Sequence, residues 1–245
     1  MHPVRLAALY DIHGNVPALA AALEDVRASR VDRIVIGGDV LPGPMPREAL
    51  DLLSSLDIPS TFITGNGEVA VLAERAGRDS GAPPQYRPMI QWVAGQLDEA
   101  HVGRIAAWPK TARIGDVLFC HATPRNENEI FVRTTGEARL APIFTAAGAP
   151  VVVCGHTHMQ FDRTIGGVRV LNAGSVGMPF GSPAAHWLLL DEGVEFKRTP
   201  YDLAAAAARV RATTCPGAGD VAARIMEPPS EQRMLDMYSK AELLS

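Results

Sequence analysis

Short β-branched runs alternate with amphipathic stretches through the first two-thirds of the chain. Val4–Tyr10 reads as a strand and Pro17–Ser29 as a helix. Asp32–Gly37 and Pro46–Leu56 repeat the pair, and Ser60–Thr64 followed by Glu68–Arg75 repeats it again. This alternation predicts largely parallel strands with helices outside them. The segment Tyr86–Ala107 predicts one or two helices between Pro83-Pro84 and Pro109, a cap or insertion over about residues 80–108. Strands then dominate. Thr111–Ile114 and Val117–Cys120 form a hairpin around Gly115-Asp116, and Val151–Cys154 is a buried strand. Phe161–Ile165 with Val168–Leu171, and His186–Asp191 with Val194–Arg198, are two further hairpins. Pro142–Ala147 predicts a short helix with Pro142 in its first turn, and Leu203–Ala212 an alanine-rich one. From Cys215 on, the periodicity is weak, and the end of the chain is expected as a loosely docked helix or a tail.

The 245 residues fit one domain with a sizeable core, and no linker or repeat divides them. The longest apolar runs are far shorter than the ~20 residues that span a bilayer. No basic, apolar and cleavable series precedes the first strand, so no signal peptide is expected. A net charge of −4 without a Lys/Arg-rich block argues against a large nucleic-acid surface. Cys120, Cys154 and Cys215 are odd in number and form no CxxC pair, which points to a reducing cytoplasm and buried thiols.

The chemistry-bearing residues collect at the C-terminal ends of the expected strands, where open α/β sheets place ligands. Strand one ends in Asp11-Ile12-His13-Gly14, strand two in Gly38-Asp39, and strand three in Gly65-Asn66-Gly67-Glu68. The Val117 strand ends in His121, and the Val151 strand in Gly155-His156-Thr157-His158. Any one of these arises by chance; all five in order do not. Carboxylate, amide oxygen and imidazole without thiolate suit manganese, iron, zinc or nickel ions. Seven such side chains are too many for one ion and about right for two. His101, in a helical stretch, is expected at the surface, and His2 and His186 fall outside the pattern.

In these motifs the chain resembles the calcineurin-like metallophosphoesterase superfamily, and most of all its small bacterial and archaeal phosphodiesterase branch, which also carries a stretch like Asn172-Ala173-Gly174-Ser175-Val176-Gly177. The resemblance spans about residues 4–200. It implies a four-layer αββα sandwich, two mixed sheets face to face with helices on both outer sides, and two divalent metal ions, manganese first. One ion would take Asp11, His13 and His158, the other Asn66, His121 and His156, with Asp39 bridging; a hydroxide between them would be the nucleophile. Arg125 is a candidate for phosphate contact because it closely follows His121. The family's third motif usually has a histidine after the asparagine, which serves the leaving group. Here that residue is Gly67, and Glu68 remains without its partner, to position backbone or a histidine or to stand as a solvated helix-start carboxylate. His101 could stand in for the lost acid.

The expected activity is therefore hydrolysis of phosphodiesters or of substrates with good leaving groups, and the expected partner is a small phosphoester or nucleotide. Dinucleoside polyphosphate or protein-phosphate hydrolysis, a nuclease, and a non-catalytic scaffold are the alternatives, and a dimer is left open. A specificity element is expected in the insertion. Activity should fall on acidification, because metal binding needs neutral imidazole.

Overall fold

The computed structural model describes residues 4–243; His2 lies outside them. Two five-stranded mixed sheets pack face to face. The first has the order β10-β9-β1-β2-β3, built from β1 (Leu6–Leu9), β2 (Arg33–Ile36), β3 (Ser60–Phe62), β9 (Ala185–Leu190) and β10 (Val194–Thr199). The second has the order β4-β5-β6-β8-β7, from β4 (Thr111–Ile114), β5 (Val117–Cys120), β6 (Val151–Cys154), β7 (Phe161–Ile165) and β8 (Val168–Asn172).

Strand parity sorts the core into layers. Leu6, Ala8 and Tyr10 point between the sheets, where they meet Val35, Phe119, Val153, Leu171 and Leu188. Ala7 and Leu9 point the other way, into a larger helical layer. That layer contains α1 (Val16–Ala28), α2 (Pro46–Ser54), α3 (Asn66–Arg75), α4 (Arg87–Gln96), α5 (Glu99–Ala106), α7 (Leu203–Arg211) and α8 (Ala218–Met226). On the far side α6 (Glu137–Thr145) buries Leu140, Ile143 and Phe144 against the second sheet. The four-layer αββα sandwich is the observed architecture. No helix among the described residues is long and apolar enough to cross a membrane.

Three local features differ from the sequence expectation. Helix α6 begins at Glu137, so Pro142 sits inside it and not in its first turn. Burial of Leu140, Ile143 and Phe144 outweighs the single backbone hydrogen bond that Pro142 cannot donate. The end of the chain forms two ordered helices, α8 and α9 (Glu231–Tyr238). His101 is buried, not at the surface. Its Nδ1 lies 2.7 Å from Asp98 Oδ1 and its Nε2 3.1 Å from Asp51 Oδ1. That ties α5 to α2 and engages both ring nitrogens within the helical layer.

Strands β1, β2 and β3 run parallel, as do β5, β6 and β8. The loops leaving their C-terminal ends therefore open on the same ends of the two sheets, and these loops carry the candidate ligands.

Candidate metal centre

Six of the seven expected ligands converge on one another. His13 Nε2 and His158 Nε2 are 3.2 Å apart. Asp11 Oδ1 lies 3.4 Å from His158 Nε2, 3.8 Å from His121 Nε2 and 3.9 Å from His13 Nε2. Asn66 Oδ1 is 3.0 Å from His121 Nε2. Asp39 stands between the two sets, with Oδ2 3.8 Å from His13 and Oδ1 3.4 Å from His121. The ring of the seventh, His156, is 5.1 Å from that of His121, and its Nε2 is 3.2 Å from the Asn128 carbonyl.

Each imidazole is oriented through one nitrogen by a main-chain carbonyl. His13 Nδ1 donates to Pro42 at 3.2 Å, His121 Nδ1 to Gly37 at 2.9 Å, and His158 Nδ1 to Met178 at 2.7 Å. Their Nε2 lone pairs then face inward. His156 reverses the pattern, leaving Nδ1 as its free lone pair. Such outer carbonyls set the tautomer of metal-binding histidines.

Two features fit cations. The facing Nε2 lone pairs of His13 and His158 repel at 3.2 Å unless positive charge lies between or beside them. Asp11 Oδ1 is fully buried without a hydrogen-bond partner, a costly state for a carboxylate oxygen lacking a counter-charge. Among the described residues, Asp11–His13–His158 and Asp11–Asp39–His121 are grouped closely enough to hold an ion.

The backbone makes the same point. Asp11, His13, Asp39, His156 and His158 all have left-handed φ, between 47° and 66°. Side-chain-bearing residues persist there, at about 1–3 kcal/mol each, only where the surroundings or the function hold them. Glycine would relieve this strain but offers no ligand atom.

A profile of the calcineurin-like phosphoesterase superfamily domain matches residues 4–193. The chain belongs to the calcineurin-like phosphoesterase superfamily. Phosphoester hydrolysis assisted by divalent metal ions is the chemistry of that superfamily. The chain is 28% identical to a metallophosphoesterase from Sphaerobacter thermophilus, whose structure superposes with a TM-score of 0.76 over 91% of this chain and 98% of that one. Hypothetical protein PH1004 from Pyrococcus horikoshii OT3 shares the fold at 18% identity, with a TM-score of 0.76 and coverage of 90% and 97%. Uncharacterized protein MJ0912 from Methanocaldococcus jannaschii is 25% identical, over 81% of this chain and 88% of its own.

Against the superfamily's motifs, position 67 is the departure, and the fold shows why it stays glycine. A Cβ on Gly67 would lie 2.0 Å from the Leu41 carbonyl oxygen and 2.9 Å from Pro42 Cδ. The loop after β2 occupies the space a side chain there would need.

Glu68, fully buried, is no solvated carboxylate. Its two oxygens accept the main-chain N–H groups of Asp39 (2.8 Å), Leu41 (2.9 Å) and Gly65 (2.8 Å). It thereby ties the Asp39 loop to the start of α3, and the Gly67 N–H donates to Asp39 Oδ1 at 2.7 Å.

Arg125 is paired with a neighbouring carboxylate. Its Nε and Nη2 hold Glu129 at 2.9 and 2.6 Å, and Thr123 Oγ1 donates to the same carboxylate at 2.6 Å. This link braces the loop that carries Asn128, the partner of His156. Asn172 and Ser175 are further supports. Asn172 Nδ2 donates to the Gly155 carbonyl at 2.7 Å, and Ser175 Oγ to the Asp11 carbonyl at 2.7 Å. The sequence signal for both was the polar Asn172 at the end of β8 and Ser175 three residues beyond it, within the Asn172–Gly177 stretch.

Burial dominates the titration of the centre without metal. It pushes the Asp11 and Asp39 carboxyls up to about 7, against the pull of His121 on the first and His13 on the second. It lowers His13 to about 4 and His156 and His158 below their ordinary range. His13, His156 and His158 are thus already neutral near pH 7, while the carboxyls still carry protons that a cation must displace. The acid sensitivity expected from the histidines belongs first to the carboxylates. Apparent manganese affinity should rise with pH up to about 7 and then level, with proton release that disappears above it. Calorimetric titration in two buffers of different ionisation enthalpy measures both. An affinity flat from pH 7 down to about 5, below the ordinary histidine range, would contradict this assignment.

Proposed function

We propose that the chain is a dinuclear metal-dependent phosphoesterase that prefers phosphodiesters or other substrates with good leaving groups. Gly67, walled off by Leu41, carries this reading. No imidazole can act from that position, so help to the leaving group is lost where the superfamily usually provides it. General acid assistance is worth about 10²–10⁴-fold and matters most for poor leaving groups.

In this reading Asp11, His13 and His158 hold one ion, Asn66, His121 and His156 the other, and Asp39 lies between them. Manganese suits this oxygen and nitrogen set, with iron, zinc and nickel as alternatives. When bound, the ions supply Lewis acidity and an activated water. The chain's own part is positional. Main-chain carbonyls of Pro42, Gly37, Met178 and Asn128 aim the imidazoles, Glu68 fixes the backbone of Asp39, and Arg125 with Glu129 braces the loop behind His156. The substrate is a small phosphoester or nucleotide, in keeping with a net charge of −4, and the buried unpaired cysteines suit a cytoplasmic setting.

The test is hydrolysis of bis-p-nitrophenyl phosphate, p-nitrophenyl phosphate and an alkyl phosphate by metal-stripped protein, before and after adding manganese. Activity should require the metal, and the aryl diester should exceed the alkyl monoester at least about 10²-fold. Metal-independent turnover, or equal rates on the two, would overturn the proposal.

A further inference from the structure

Beyond residue 193, where the family match ends, the chain returns to the metal end of the sandwich. The segment from Pro229 through α9 to Leu243 lies against two loops. Each of these loops aims one histidine of the pair His156 and His158, which serves both ions in the reading above.

The first loop runs from Met178 to Gly181. The Met178 carbonyl accepts from His158 Nδ1 at 2.7 Å. Two residues on, the Phe180 ring stacks on the His158 ring, 5.3 Å between centroids and with planes 22° apart. The carbonyl fixes the tautomer and the stacked ring limits rotation of the imidazole. The C-terminal segment holds this loop twice. The Gly181 N–H donates to the Pro229 carbonyl at 2.9 Å, and Phe180 is buried in one apolar cluster with Met234 and Leu235 of α9.

The second loop begins at Asn128, whose carbonyl lies 3.2 Å from His156 Nε2. Two residues on, the Ile130 carbonyl accepts from the Leu243 N–H at 2.7 Å. Val132 enters the same apolar cluster as Phe180 and Leu235. Arg133 then pairs with Glu231 at 3.2 Å, and Glu242 accepts from Thr135 Oγ1 at 2.7 Å and from Arg139 at 2.9 Å. The cluster is small and the Arg133–Glu231 pair is partly exposed. Such a unit opens locally at a lower cost than the main core.

We propose that the C-terminal segment 229–243 is a positioning element of the metal centre: docked α9 holds the two loops that aim His156 and His158. The inference rests on the metal-centre reading above. Leu235 and Phe180 act through other groups and need touch no ion. Coupling of this kind is reciprocal. If docked α9 raises metal affinity, bound metal holds α9 down by the same factor.

The test is amide hydrogen exchange in the full-length wild type, metal-free and with saturating manganese, beside the calorimetric manganese affinity of Leu235→Ala. Exchange across Glu231–Tyr238 should slow at least about fivefold when manganese binds. It should slow more than in α5, which is tied to α2 through His101. Leu235→Ala should bind manganese about 10–100-fold more weakly, the range for a lost outer support of a metal-bound histidine. The affinity is measured well below the variant's Tm, where a folded protein with undisturbed ligands keeps wild-type affinity. Slowing in α9 no greater than in α5 would overturn the proposal, and so would wild-type affinity in folded Leu235→Ala. If that variant does not fold, exchange in the wild type decides alone. A wild type that binds no manganese would sink the metal-centre reading and this inference together. Manganese bound with α9 unresponsive would sink this inference alone.

Discussion

Replacing Glu68 with alanine is expected to lower Tm by roughly 6–12 °C and to remove most metal binding, although Glu68 need touch no ion. The side chain is fully buried and satisfies three main-chain amides, those of Asp39, Leu41 and Gly65. A buried donor left without a partner costs about 1–3 kcal/mol, so three of them cost at least about 3 kcal/mol. For a chain of this size each kcal/mol shifts Tm by about 2–4 °C. The Asp39 backbone, left-handed at φ 51°, depends on this anchorage to present its carboxylate. Glu68→Gln keeps the volume and one strong acceptor oxygen and should fall between wild type and alanine. Thermal melts with parallel metal analysis check both variants. An alanine variant with wild-type Tm and metal content would show that water or neighbouring groups satisfy those amides as well as the carboxylate does.

Writing the superfamily's usual histidine back, as Gly67→His, is expected to damage the protein and not to improve it. Its Cβ would press on the Leu41 carbonyl at 2.0 Å, a main-chain atom that cannot swing aside. Either the first turn of α3 or the loop after β2 must move, and these carry Asn66 and Asp39. Overpacking of this kind costs about 1–3 kcal/mol, occasionally more, and displaced ligands lower turnover at least about tenfold. Gly67→Ala carries the same Cβ and should show most of the stability loss. The opposite result, a stable histidine variant with raised activity on alkyl monoesters, would mean that the loop yields and that the missing acid is restored.

The sequence carried the ligand set because its signals are local. Each candidate sits one to a few residues past an apolar run. The strands were legible for the same reason, being short apolar runs bounded by turns, whereas their arrangement in two face-to-face sheets was implied by the family resemblance. What escaped depends on contacts far along the chain. The amides that Glu68 serves lie on separate loops, and the partner of His101 at Asp51 is 50 residues away. The burial of α8 rests on a narrow stripe, Val221, Ala222 and Ile225, too short to stand out as a periodicity. The pairing of Arg125 with Glu129 is close in sequence, but nothing in composition tells a brace from a phosphate contact. Left-handed backbone at five ligands runs against ordinary residue preference, so a reading by propensity would not place those residues there.

The central claim, that these side chains close around two cations, is tested most directly by anomalous diffraction at the manganese edge from crystals of the manganese-loaded protein. The account predicts two peaks about 3.5–4 Å apart, one within reach of Asp11, His13 and His158, the other within reach of Asn66, His121 and His156, with Asp39 between them. No peak at this position, or manganese bound elsewhere with these seven side chains left apart, would contradict it.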